Sequence, residues 1–302
     1  MMTAIDPTTV DHLGARAGSQ PLVLLGVLIT SAALAALALV VTLRWSERTA
    51  RALWSAAGPR LRSAPWLARL THRSPVVARV ARSLSSFEYL ALHLAIGLVV
   101  TLSGVAFLAL AYGVSRRTAI LGLDHSLAAS LHSSADAPTR GFFVRFTDLG
   151  GGLALTLLGV TVASWLFATR RLLLAWGFSV AMLGMGVLNT ALKAAFARPR
   201  PSFGDGWVPP SGWSFPSGHA MGTWVATGML AYVAMLVSGN RRAGWLCGGL
   251  ALLWSVTMAY SRMVVGAHYL SDILGGLAAG TVWLGACISG LEISRRRPER
   301  AD

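Results

Sequence analysis

Residues 172–195 read LLLAWGFSVAMLGMGVLNTALKAA, a run of 24 residues whose one charge, Lys193, stands near its far end, just after the pair Arg170 and Arg171. Wound as a helix at 1.5 Å per residue, it is about 36 Å long, enough to cross ~30 Å of hydrocarbon. Six further apolar runs bounded by charge lie at residues 21–42, 88–114, 152–168, 219–238, 243–261 and 271–293. The chain of 302 residues is 54% hydrophobic and only 13% charged, outside the balance of a soluble domain. The sequence therefore predicts an all-α, polytopic membrane helical bundle of seven spans.

Run 152–168 is the shortest, but without it Arg170 and Arg171 would fall on the opposite side from the other arginine clusters. Run 21–42 lacks a basic leader and carries its positive charge afterwards, so it reads as a retained anchor with its N-terminus outside rather than a cleaved signal peptide. Threading alternately from there puts residues 44–82, Arg170 and Arg171, Arg241 and Arg242, and the tail 295–300 on the cytoplasmic side, satisfying the positive-inside rule four times. The opposite face receives the 114–151 and 196–218 loops and the link around Gly266. Residues 44–87 hold nine arginines and one acid with interleaved Leu and Trp, a basic linker or interfacial helix without assigned chemistry. The expected organisation is a tail with an extra transmembrane helix (1–43), a basic cytoplasmic segment (44–87), a six-helix core (88–293) and a basic tail (294–302).

The net charge of +14 would suit nucleic acid, but its clustering between apolar runs points to phosphate-headed lipid instead. Of the 26 basic residues only Lys193 is a lysine, so that position stands out. Cys247 and Cys287 lie in apolar runs and read as packing residues.

Three polar clusters fall at the outer ends of the later helices, where a membrane protein tolerates idle polarity least. Lys193, with Arg198 and Arg200 among prolines, offers a point charge and planar forks suited to phosphate oxygens. Pro216-Ser217-Gly218-His219 opens an apolar helix, so free backbone N–H groups, a Ser217 cap and the helix dipole favour an anion beside His219. His268 and Asp272 are four apart, a helical spacing that lets the carboxylate orient the imidazole, and Arg262 lies close by in sequence. Each cluster alone has an ordinary reading as a snorkelling cation, a turn or a helix-end ion pair. Together they place cations, an anion-binding turn and two histidines on one membrane face.

The spacing Lys193, six residues, Arg200-Pro201; then Pro216-Ser217-Gly218-His219; then Ser261-Arg262, five residues, His268, three residues, Asp272 resembles the signature of the type 2 phosphatidic acid phosphatase superfamily. All eleven specified positions match, within a stretch running from residue 88 to about 293. The resemblance implies a six-helix core, with His268 as nucleophile, His219 as general acid and Asp272 as orienter. It implies phosphate binding by Lys193, Arg200, Ser217, Gly218 and Arg262. No metal-ligand spacing is visible, so neither metal nor cofactor is expected. The implied substrate is a lipid phosphate such as undecaprenyl diphosphate, phosphatidic acid or phosphatidylglycerol phosphate, met at the extracytoplasmic face of a bacterial cell membrane. A lipid phosphotransferase with the same site, and a non-catalytic lipid-binding or transport protein, are the rival readings; oligomeric state is left open.

Overall fold

A computed structural model describes residues 7–30, 55, 87–204 and 210–295. Its elements are α1 (Pro7–Gly18), α2 (Pro21–Thr30), α3 (Phe87–Ser115), α4 (Ile120–Ser134), α5 (Ala137–Asp148), α6 (Gly152–Ala168), α7 (Leu172–Phe196), α8 (Gly218–Ser238), α9 (Arg241–Val264) and α10 (Leu270–Arg295). Strands are absent among the described residues.

Six stretches among these residues are long and apolar enough to cross a membrane: α3, α5 with α6, α7, α8, α9 and α10. Leu98, Leu102, Val105 and Leu108 on α3, and Leu153, Leu157 and Val160 on α6, turn outward. Such surfaces suit hydrocarbon, where a helix satisfies its own backbone and apolar side chains meet lipid. The chain is a multi-pass membrane protein.

One expectation is revised. The 114–151 stretch is not a loop: it carries α4 and α5, the latter capped by Asp136, whose side chain accepts the Thr139 N–H. The expected anchor 21–42 is described only to residue 30, as α2, which makes an angle of 102° with α1 across the break after Gly18. Its remainder and most of the basic segment lie outside the described residues.

Helix α8 sits centrally against α7, α9 and α10, with Phe178, Met185, Met221, Val225, Met229 and Leu284 in its core. The α8–α10 crossing is set by small residues, as in tightly packed membrane helices. A Cβ on Gly276 would stand 2.6 Å from the Ser217 carbonyl oxygen, and one on Gly280 3.3 Å from that of Met221. At the N-terminal end, Gly14 and Gly18 of α1 face Ser126 and Ser130 of α4, and Ser130 donates to the Ala15 carbonyl at 2.7 Å. The distal end of α10 is closed by Glu292, buried and accepting from Tyr232 at 2.7 Å and Arg295 at 2.8 Å.

Candidate active site

Four consecutive helices alternate in direction, so the C-termini of α7 and α9 and the N-termini of α8 and α10 gather at one end. Arg170, Arg171, Arg241 and Arg295 mark the other. Helix α7 stops at Ala197, which takes a left-handed φ of 42°. Pro199 and Pro201 then hold the chain extended, in which residues two apart share a side. Arg198 and Arg200 accordingly both point inward, flanking the solvent-facing Pro199.

The two arginines do different work. Arg198 is buried between two carboxylates, donating to Asp272 Oδ1 at 2.6 Å, Asp124 Oδ2 at 2.8 Å and Ser271 Oγ at 2.7 Å. Its guanidinium also lies 4.3 Å from the centre of the Tyr269 ring. Arg200 meets, among the described residues, neutral groups: the carbonyls of Gly212 at 3.0 Å, Ser211 at 3.3 Å and Ala267 at 2.9 Å. Its NH1 stands 3.2 Å from His268 Nε2. Burial lowers the Arg200 pKa from its ordinary value.

His268 is buried in the link before α10 rather than on the helix itself, so the four-residue spacing bridges the link and the first turn. Its Nδ1 lies 3.5 Å from Asp272 Oδ2, longer than an ordinary hydrogen bond. That oxygen also accepts from the Ser214 hydroxyl and from the Tyr269 N–H at 2.9 Å, while Ser214 Oγ stands 3.4 Å from Nδ1. Burial pulls the imidazole down to about 4, Asp272 opposes this, and Arg200 and Arg262 reinforce it.

Ser217 caps α8, accepting from the Ala220 N–H at 3.5 Å, and its own N–H donates to the Asp272 carbonyl at 2.9 Å. Phe215, buried against Phe107 and Phe196, anchors the turn from below. Gly218 is pressed against Asn189, whose Oδ1 would stand 2.9 Å from an added Cβ. His219 faces the α5–α6 junction, its Nε2 3.8 Å from where a Gly151 Cβ would be. Lys193 donates to the Trp213 carbonyl. Arg262 donates to Thr147 at 2.9 Å, and its Nε has no partner among the described residues. Lys193, Arg200, Arg262 and His268 all lie within electrostatic reach of His219, so the three clusters converge.

All eight expected site residues therefore gather at one end of the bundle. Sequence reasoning passed over Asp124, Ser214, Thr147 and the distinct role of Arg198. Only Asp124 left a trace, as an acid inside the Ile120–Ser134 stretch.

Among the described residues, Lys193, Arg200 and Arg262 have no carboxylate within ion-pair distance, whereas Arg198 takes two. Cations held in a buried site by neutral acceptors make a receptor for an anion. Fold and site thus define an integral-membrane helical protein with a cationic, histidine-bearing anion site. Residues 173–296 of this chain match the model of the PAP2 superfamily. Phosphatidylglycerophosphatase B of Bacillus subtilis (strain 168) is 30% identical over 141 residues, an alignment covering 44% of this chain and 66%, just under two thirds, of that protein. The crystal structure of a transmembrane PAP2 type phosphatidylglycerolphosphate phosphatase from Bacillus subtilis superposes with a TM-score of 0.58 at 24% identity, covering 67% of this chain and 98% of that one. At that identity the superposition speaks for the fold alone.

Proposed function

We propose that this chain is a membrane lipid phosphatase that hydrolyses a lipid phosphomonoester or diphosphate through a phosphohistidine, without a metal. The observation that carries this reading is the set of three cations, half-buried Lys193 and Arg200 and buried Arg262, held by neutral acceptors around His268 and His219. The match of residues 173–296 to the PAP2 superfamily model and the likeness to phosphatidylglycerophosphatase B support it.

In this mechanism His268 Nε2 attacks phosphorus while the bond to the lipid oxygen breaks, and His219 gives its proton to that oxygen. Water then attacks the phosphohistidine, His219 takes the water's proton, the P–N bond breaks and inorganic phosphate leaves. Asp272 stabilises the positive charge that develops on His268. The three cations, the Ser217 hydroxyl and the Gly218 N–H hold the equatorial oxygens, whose charge fixed dipoles stabilise at no reorganisation cost. The site faces away from the cytoplasm, a reading supported by the arginines at the far ends of the same helices.

Phosphatidylglycerol phosphate is the first substrate to test, followed by phosphatidic acid and undecaprenyl diphosphate. Purified protein in detergent should release phosphate from one of them, in the presence of chelator, and vanadate should inhibit it. Absence of phosphate release from all three, or activity lost to chelation and restored by magnesium, would refute the reading.

A further inference from the structure

Asp124 lies outside the stretch matched by the superfamily, on a helix that sequence reading left as loop, and its side chain is fully buried. Oδ1 accepts the Ser271 N–H at 3.0 Å; Oδ2 accepts from the Ser271 hydroxyl and from Arg198 at 2.8 Å. Arg198 in turn reaches Asp272 Oδ1 at 2.6 Å, and the other oxygen of Asp272 faces His268 Nδ1. One guanidinium is therefore shared by two carboxylates.

We propose that Asp124 is a positioning residue for His268, acting through Arg198 and Ser271 on the Asp272 carboxylate. The inference rests on the function proposed above only in what it says of turnover.

Two physical effects support it. First, Asp124 pins the first turn of α10 through both the backbone and the hydroxyl of Ser271, which sets where its neighbour Asp272 projects. Second, it divides the charge of Arg198. With Asp272 as sole partner, a buried guanidinium at 2.6 Å would neutralise the carboxylate and weaken its hold on the Nδ1 proton. With Asp124 present, the three groups sum to one negative charge, which is available to stabilise His268 as it becomes cationic. This matters because the other charged groups acting on His268, Arg200 and Arg262, are positive and disfavour that cation.

Packing holds Asp124 in place. Helix α4 is clamped by α1 through Gly14 and Gly18, and Leu127 and Leu131, on the turns after Asp124, are buried against Met263 and Ile273. The charge-sharing role, unlike simple anchoring, predicts an effect on His268 that requires Arg198.

The test uses full-length protein labelled with ¹⁵N-histidine, with the His268 signals assigned through His268→Gln. Asp124→Asn keeps an acceptor for the Ser271 N–H while removing the charge and the oxygen that accepts from Arg198 and the Ser271 hydroxyl. At neutral pH the His268 Nδ1–H resonance should move upfield as its bond to Asp272 weakens, and the same substitution in an Arg198→Gln background should not move it further. Turnover should fall about tenfold, the consequence of ~1.4 kcal/mol at the transition state, while KM and protection by vanadate stay within about threefold. Asp124→Glu, which restores the charge, should recover both resonance and turnover relative to Asn. An unmoved resonance, an equal shift without Arg198, or a Glu variant as impaired as Asn would each overturn the proposal. Should the unsubstituted protein release no phosphate, the proposed function fails, while the resonance still decides the coupling.

Discussion

Replacing Gly276 with Ala adds a single methyl group where α10 crosses α8, and the consequence follows from the distances. The new Cβ would stand 2.6 Å from the Ser217 carbonyl oxygen, 3.3 Å from Ala220 Cβ and 3.3 Å from the Met221 nitrogen. Reaching even the 3.4 Å edge of ordinary contact requires about 0.8 Å of separation, and the nearest obstacle is backbone that no rotamer change can move. Overpacking of this kind costs about 1–3 kcal/mol. The same displacement moves Ser217 and Gly218 away from His268, and misplacement by about 1 Å is worth up to ~10²-fold in rate. Gly290→Ala on the same helix meets nothing within 4 Å and is the control; there Ala favours the helix by roughly 0.5–1 kcal/mol. Thermal unfolding and phosphate release would be measured for both variants in one detergent. Gly276→Ala should unfold several degrees lower and turn over tens of times more slowly, with Gly290→Ala at or above the parent. A Gly276→Ala protein with parental unfolding and turnover would refute the argument that this crossing sets the site.

His219→Ala should slow hydrolysis of a lipid phosphate about 10²–10⁴-fold but that of para-nitrophenyl phosphate much less, because a stable leaving anion needs no proton; equal losses would reject the general-acid role. The His268 pKa of about 4 lies below the ordinary ~6.5, so folding disfavours its protonated form. Its contribution to stability is accordingly full above about 6.5 and lost as pH falls toward 4, and the acid limb of kcat/KM that belongs to His268 should lie near 4; loss of that limb's shift in a folded protein would contradict the buried imidazole. Ser214→Ala removes a donor from the buried Asp272 carboxylate, at a cost of about 1–3 kcal/mol, read as lower thermal stability and slower turnover with vanadate protection retained.

The class of fold and most of the site were legible in the linear sequence because both are written at short range. An apolar run such as 172–195 declares a membrane helix by length alone, and the positions of Lys193, Pro216 to His219 and Arg262 to Asp272 declare phosphate chemistry by type and spacing. Helix ends were predictable for the same reason, since charge cannot lie idle in hydrocarbon. Tertiary structure alone decided how Arg198 and Arg200 divide their work. They sit two residues apart with like neighbours, yet one meets Asp124 and Asp272 from distant helices and the other meets carbonyls and His268. Asp124 and Ser214 were invisible as site residues for a related reason: their partners lie 147 and 58 positions away, and a hydrogen bond across such a separation leaves no periodicity to read. Nor did α1 announce its docking, because Gly14 and Gly18 acquire meaning only when Ser126 and Ser130 lie opposite them. Hydropathy and spacing are properties of neighbours along the chain, whereas partner choice among buried charges is settled by which helices pack together.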